Sequence, residues 1–252
     1  MAGHSKWANI KHKKALVDAK KGKLFSKIAR DITVCARVGG GDPETNVTLR
    51  TLLNKARAAN MPSDNIDRAI KKGTGALDDG VQLEEVVYEG YAPGGVMVVV
   101  QALTENRNRT AGEVRSVFTK AGANLATSNA VLRSFNRKGV ITVDAAMAEE
   151  DALLEIVLGA GAEDLAREGD QFEITTAPAD FGAVVNALRA GNVPTLSAEI
   201  TLLPELYTTV SDRAQADSLL GFVENLEDLD DVQNVYTNMD LDDAVVASLQ
   251  AG

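Results

Sequence analysis

The charge of this chain changes sign near residue 75, so its first third and its remainder must present different surfaces to water and to partners. The first 75 residues carry 16 Lys and Arg against 6 Asp and Glu, and the other 177 carry 10 against 30. A net charge of −10 therefore hides a segment at +10 joined to one at −20. Such a dipolar molecule turns one end toward polyanions, and phosphate backbones are the obvious polyanion. The same arrangement also suits a basic end packed on its own acidic body or on a second copy. Both readings stand at this point.

With 45% hydrophobic and 25% charged residues, composition is that of a soluble globular protein. No apolar run approaches the roughly 20 residues of a membrane span, so no membrane partner is expected. The start is basic but lacks the apolar stretch of a secretory signal. A single cysteine, Cys35, excludes an internal disulfide framework and fits a reducing compartment. Cytoplasm is the expected location.

Residues 1–22 read as a basic arm in which Lys6, Lys11, Lys13 and Lys14 surround Trp7 and Ile10. Residues 23–38 have helical periodicity, with Phe25, Ile28, Ile32 and Cys35 on one face and Lys23, Lys27, Arg30 and Arg37 on the other. Gly39-Gly40-Gly41 ends that helix. Asn46 is placed to cap a second helix through residue 59, with Leu49, Leu52, Leu53 and Ala56 inward. A third helix spans 63–72, with Ile66, Ala69 and Ile70 inward and Arg68, Lys71 and Lys72 as an outer basic stripe.

Residues 73–80, with Gly73, Gly75 and Gly80, read as a linker. Beyond it the texture is mixed. Residues 86–91 and 96–103 around Pro93-Gly94-Gly95 read as a hairpin. Thr110-x-x-Glu113 reads as a capping box opening a helix to 120. Residues 131–135 and 140–143 read as strands flanking a turn at 136–139. Helices at 149–158, 180–190 and 212–226 alternate with strands at 172–176, 198–203 and 232–236. The expected class is α+β: a helical bundle, then two small α/β sandwiches, one inserted into the other. The expected domains are 1–75 (basic arm and helical domain), 81–130 plus 206–245 (α+β), and 131–205 (inserted α+β).

Searches for chemistry return little. His4 and His12 are the only histidines, and Cys35 lies in another element, so no zinc spacing exists. Glu227-Asp228-x-Asp230-Asp231 lacks the spacing and glycine of a calcium loop and reads as a solvated acidic turn. No histidine follows the arm to serve as a general base. Lys72-Gly73-Thr74-Gly75 follows a helix rather than joining a strand to one, unlike a phosphate loop. The expectation is a non-enzyme without metal or cofactor.

The opening Met1-Ala2-Gly3-His4-Ser5-Lys6-Trp7-Ala8-Asn9-Ile10-Lys11-His12-Lys13-Lys14 resembles the start of the YebC family. So do Lys23-Leu24-Phe25-Ser26-Lys27, Asn60-Met61-Pro62-Ser63-Asp64-Asn65-Ile66 and Tyr91-Ala92-Pro93-Gly94-Gly95. Thr104-Glu105-Asn106-Arg107-Asn108-Arg109-Thr110 and Asp230-Asp231-Val232-Gln233-Asn234-Val235-Tyr236-Thr237-Asn238 complete the series in family order. The resemblance implies a cytoplasmic three-domain α+β protein with no agreed catalytic residues. It also implies regulation. Bacterial members are described as DNA-binding transcriptional regulators, mitochondrial relatives activate translation, and a ribosome-associated role has been put forward in bacteria. No clear helix-turn-helix accompanies the resemblance; the connection Asn60-Met61-Pro62-Ser63 is the nearest.

The resulting expectation is a nucleic-acid-binding regulator, first of transcription on DNA. The alternatives are a ribosome- or RNA-associated translation factor and, third, a protein adaptor. Phosphate contacts are expected from Lys6, Lys11, Lys13, Lys14, Lys23, Lys27, Arg30, Arg57, Arg68, Lys71 and Lys72. Trp7 either stacks on a base or anchors the arm. Arg107 and Arg109, beside a helix start, read either as a secondary anion or partner contact or as an exposed loop.

Overall fold

A computed structural model describes residues 19–77 and 83–250. In chain order the helices and strands are α1 (Ala19–Gly39), α2 (Val47–Ala58), α3 (Ser63–Gly73), β1 (Glu84–Ala92), β2 (Val96–Thr104), α4 (Arg107–Lys120), β3 (Asn124–Leu125) and β4 (Phe135–Asp144). There follow α5 (Glu150–Gly159), β5 (Ala162–Glu168), β6 (Gln171–Thr176), α6 (Phe181–Ala190), β7 (Thr195–Pro204) and β8 (Thr208–Val210). The chain ends with α7 (Arg213–Glu227), β9 (Val232–Thr237), β10 (Met239–Leu241) and α8 (Asp243–Gln250). The protein is a multi-domain α+β fold, and its described residues fall into two compact units.

One unit comprises Ile32–Ala76 and Asn136–Leu203. Its sheet has the order β5-β6-β4-β7. Ile141, Val143, Phe172 and Ile174 of the strands pack with Leu153, Val157, Phe181, Val184 and Leu188 of α5 and α6. The helices α2 and α3 belong to this unit. Val47, at the start of α2, packs on that core, Arg50 donates to Asn186 Oδ1 at 2.5 Å, and Lys55 lies 3.7 Å from Glu199. Asn46 caps α2 by accepting from the Leu49 amide at 3.0 Å. Gly73 is the last residue of α3 rather than linker. A Cβ there would lie 2.4 Å from the Thr33 carbonyl oxygen, so glycine is what lets the two helices approach.

The hairpin expected around residues 136–139 does not form, because β4 runs unbroken from Phe135 to Asp144. Gly139 lies inside the strand opposite Thr176. A Cβ on it would sit 2.3 Å from Thr176 Oγ1 and 2.6 Å from the Phe181 ring. This glycine serves close packing, not a turn.

The other unit contains α1 as far as Asp31, residues 83–135, and the chain from Pro204 onward. Its main sheet has the order β3-β1-β2-β9. β1 and β2 pair in full antiparallel register from Glu84 opposite Thr104 to Ala92 opposite Val96, and β9 pairs with the other edge of β2. Val96, Val98, Val100 and Ala102 meet Val114 and Phe118 of α4 and Leu219, Phe222, Val223 and Leu226 of α7. Phe118 and Phe222 pack edge-on with centroids 5.1 Å apart. Gly90 leaves the space for Phe118, since a Cβ would fall 2.3 Å from its ring. β8 and β10 form a small parallel pair.

Helix α4 starts at Arg107, with Asn106 accepting from the Arg109 amide at 3.2 Å. The capping box read at Thr110 is therefore corrected: Thr110 lies inside the helix and is fully buried. Asn106 supplies the cap that the Thr110 reading overlooked.

Two buried polar side chains fix the loops of this unit. Glu89 on β1, 4% exposed, accepts from the amides of Asn129 at 2.6 Å, Val131 at 2.8 Å and Leu132 at 2.7 Å. Asn238 accepts from the Met97 amide at 2.7 Å and donates to Thr208 Oγ1 at 2.9 Å and the Leu206 carbonyl at 3.2 Å. We predict that Glu89→Gln lowers stability by about 2 kcal/mol, because an NH2 group would then face backbone donors. Chemical denaturation checks this; an unchanged midpoint would mean the 129–132 loop is held by something else.

Candidate nucleic-acid interface

Helix α3 buries Ile66, Ala69 and Gly73. Its outer positions 64, 67, 68 and 71 share one face at i, i+3, i+4 and i+7 spacing. Arg68 and Lys71 are exposed there, Lys72 is half-buried, and Arg57 is exposed near the end of α2. Asp64 and Asp67 share the same face one helical turn ahead of the two cations. The acids precede the cations, the order that the helix dipole favours. The outer face is thus positive only in its second half. Reading the stripe for its cations alone leaves out the two acids that precede it on the same face. Among the described residues, Arg68 and Lys71 pair with no carboxylate, whereas Arg57 reaches Asn54 at 3.4 Å.

The basic face of α1 is placed differently. Lys23, Lys27 and Arg30 follow i, i+4, i+7 spacing and all turn to the C-terminal end of α7. Lys23 Nζ donates to the Asp228 carbonyl at 2.9 Å and lies 3.8 Å from Asp230 Oδ1. Lys27 Nζ donates to the Glu227 carbonyl. Arg30 donates to the Asp230 carbonyl and lies 3.4 Å from Asp231 Oδ1. A helix end leaves carbonyls without intrahelical partners and carries partial negative charge. The last turn of α7 has no cation of its own; α1 brings three.

Arg109 reaches the same acidic segment. Its guanidinium donates to Asp231 Oδ2 at 2.7 Å. Thr110 Oγ1 donates to that oxygen at 2.7 Å and Thr104 Oγ1 at 3.0 Å. The Asp231 side chain is 2% exposed, so the acidic run is not a solvated turn throughout, as the sequence alone suggested. Burial by itself would push the carboxyl upward; hydrogen bonds from Arg109, Thr110 and Thr104 outweigh it and hold it below its ordinary value of 3.8. The same bond, with the carboxylate's charge, raises Arg109. Arg107 remains exposed, 3.7 Å from Glu84. Beside it the Tyr88 hydroxyl is buried without a hydrogen bond among the described residues. Burial raises its pKa, Arg107 partly offsets this, and Asp231 adds to the rise.

Two motifs far apart in sequence, 104–110 and 230–238, therefore meet at one carboxylate. Asp231 was not among the site residues read from sequence. Its signal was the acidic run itself, matched to a cation stripe of helical spacing on α1. Lys6, Trp7, Lys11, Lys13 and Lys14 lie outside the described residues. Among the described residues no group of three or more His, Cys, Asp or Glu side chains is arranged to hold a metal, and no helix is long and apolar enough to cross a membrane.

Residues 5–76 match the model of the TACO1/YebC protein N-terminal domain, and residues 83–239 that of the TACO1/YebC second and third domain. The chain belongs to the TACO1/YebC family. It is 49% identical over 245 residues to a probable transcriptional regulatory protein of Desulforapulum autotrophicum, covering 97% of this chain and 98% of that one. A protein of Treponema denticola with the same description is 50% identical, covering 96% and 97%. In three dimensions the chain is similar to the crystal structure of a conserved hypothetical protein from Aquifex aeolicus, with a TM-score of 0.82 and 48% identity. That likeness covers 94% of this chain and 97% of the other. In this TACO1/YebC chain, the family motifs at 104–110 and 230–238 contribute the buried groups Thr104, Thr110, Asp231 and Asn238.

We predict that Asp231→Asn costs about 2 kcal/mol near neutral pH, since it removes the charge that Arg109 and two buried hydroxyls address. The sign of the pH dependence follows from the lowered pKa. The carboxylate's contribution is fully present above the unfolded-state value near 3.8 and is lost as pH falls through the lower folded value. Denaturation of both proteins across the acid range should therefore show a constant gap near neutrality that narrows only in acid. A gap that already closes on approaching pH 6 would contradict the depressed carboxyl.

Proposed function

We propose that this chain is a non-enzymatic, nucleic-acid-binding regulator, acting on transcription through DNA and located in the cytoplasm. The relatives named probable transcriptional regulatory proteins support that direction. The observation that carries the binding reading is the unequal use of the cations. Lys23, Lys27 and Arg30 of α1 are engaged within the chain, whereas Arg68 and Lys71 are exposed and, among the described residues, pair with no carboxylate. Phosphate contact is therefore assigned first to the outer faces of α2 and α3, through Arg57, Arg68 and Lys71, with the half-buried Lys72 beside them. The basic arm, with Lys6, Lys11, Lys13, Lys14 and Trp7, adds further contacts. The remaining 20 units of negative charge beyond residue 75 would repel a polyanion and so favour approach from the basic end.

A duplex of mixed sequence and a single-stranded RNA of equal length, titrated against the full chain at several salt concentrations, test this reading. If about five phosphates are neutralised on duplex DNA, log affinity falls with log salt at a slope of roughly −4 to −5. Arg68→Glu with Lys71→Glu should weaken binding at least tenfold and flatten the slope by about 2. Stability should stay within about 0.5 kcal/mol because both side chains are exposed. Unchanged affinity in a folded double variant would remove α3 from the interface. Preference for the RNA over the duplex would move the reading to translation.

A further inference from the structure

We infer that the acidic turn after α7 is an intramolecular competitor for nucleic acid, occupying the cation stripe of α1 until a phosphate backbone displaces its outer contacts. This rests on the nucleic-acid reading and adds a form of regulation to it. Three cations at i, i+4 and i+7 form the array expected of a backbone-tracking helix face, and all three are engaged by residues 227–231. That turn offers what a phosphate backbone offers: closely spaced oxygen acceptors and concentrated negative charge. Capping α7 needs only its carbonyls. The Asp230 carboxylate, 3.8 Å from Lys23 Nζ, adds charge beyond that need where an incoming phosphate would sit, and Glu227 and Asp228 add to the negative charge of the turn.

The clasp is graded along its length. Lys23 and Asp230 form its outer end, with side chains 50% and 77% exposed, and exposed pairs of this kind bind weakly and are screened by salt. Arg30 and Asp231 form its inner end, 26% and 2% exposed, and are joined to Arg109 and the two threonines. Exchange therefore starts at Lys23 and extends to Lys27, whose bond to the Glu227 carbonyl is part-buried, while Arg30 stays on Asp231 and keeps the helix attached. The consequence is a binding surface whose cation count differs between the free and the bound chain.

The test is a cycle on the full chain, using the same DNA duplex and single-stranded RNA. Glu227→Gln, Asp228→Asn and Asp230→Asn together should raise affinity at least fivefold near 0.1 M salt and steepen the duplex salt slope by up to about 2, as two lysines join the interface. In a Lys23→Gln, Lys27→Gln background the same three changes should alter affinity less than about twofold and leave the slope unchanged. A gain of equal size in both backgrounds would mean simple relief of long-range repulsion and would overturn the competitor. So would no gain in either. Thermal unfolding of each protein verifies that the fold is kept. If only the acid-neutralised chain binds, the competitor is supported in its strongest form. If the unmodified chain binds and the cycle shows no coupling, the competitor alone fails. If none of the proteins binds either probe, the nucleic-acid reading fails and the competitor with it.

Discussion

The Asp231 carboxylate is almost wholly out of water, and it stays charged because four separate groups address it. Desolvating a carboxylate costs several kcal/mol unless charge and hydrogen bonds replace the lost water. Here Arg109, Thr110 and Thr104 supply the bonds and Arg30 a second positive charge. They come from three places: Arg30 from α1, Thr104 from the end of β2, and Arg109 and Thr110 from the first turn of α4. The carboxylate therefore fixes three chain segments relative to the strand that follows it. Removing it would leave two buried hydroxyls and two guanidinium groups without the carboxylate they address.

The same device recurs at smaller scale in this unit. Glu89 gathers three amides of an irregular loop, and Asn238 joins β2 to the segment before β8. Small sheets with irregular connections leave backbone groups that no ladder satisfies, and a buried group must answer them or they destabilise the fold. In the sheet of β4–β7 the strand ladders pair backbone groups, and glycines serve close packing instead. Gly139 and Gly73 mark places where two elements come closer than any side chain permits.

How much was legible in the sequence follows from this physics. The helices α1–α3 and α7 and the hairpin of β1 and β2 announce themselves through apolar period and turn residues, and they lie within a few residues of the expected bounds. β5 is not legible because its residues do not alternate: Glu163 and Asp164 are both exposed, and Leu165 and Ala166 are both half-buried. The break expected at residues 136–139 was a glycine read as a turn when it served packing. In the candidate interface, the exposure of Arg57, Arg68 and Lys71 agrees with helical phase. The engagement of Lys23, Lys27 and Arg30 could not be read, because periodicity places a side chain on a face but does not say what the face meets.

Charge counting has the same limit, and here the limit is informative. A segment at +10 joined to one at −20 looks like a cationic tool attached to an acidic body. In the folded chain part of that positive charge is already matched: three cations on α1 face the end of α7, and Lys55 faces Glu199. Among the described residues, the positive charge left unmatched is smaller than the sequence count suggests. The acidic body is then more than a repulsive counterweight. On the proposed reading it holds the α1 cations at the end of α7 and leaves Arg68 and Lys71 exposed, so it sets which part of the described basic segment faces a ligand.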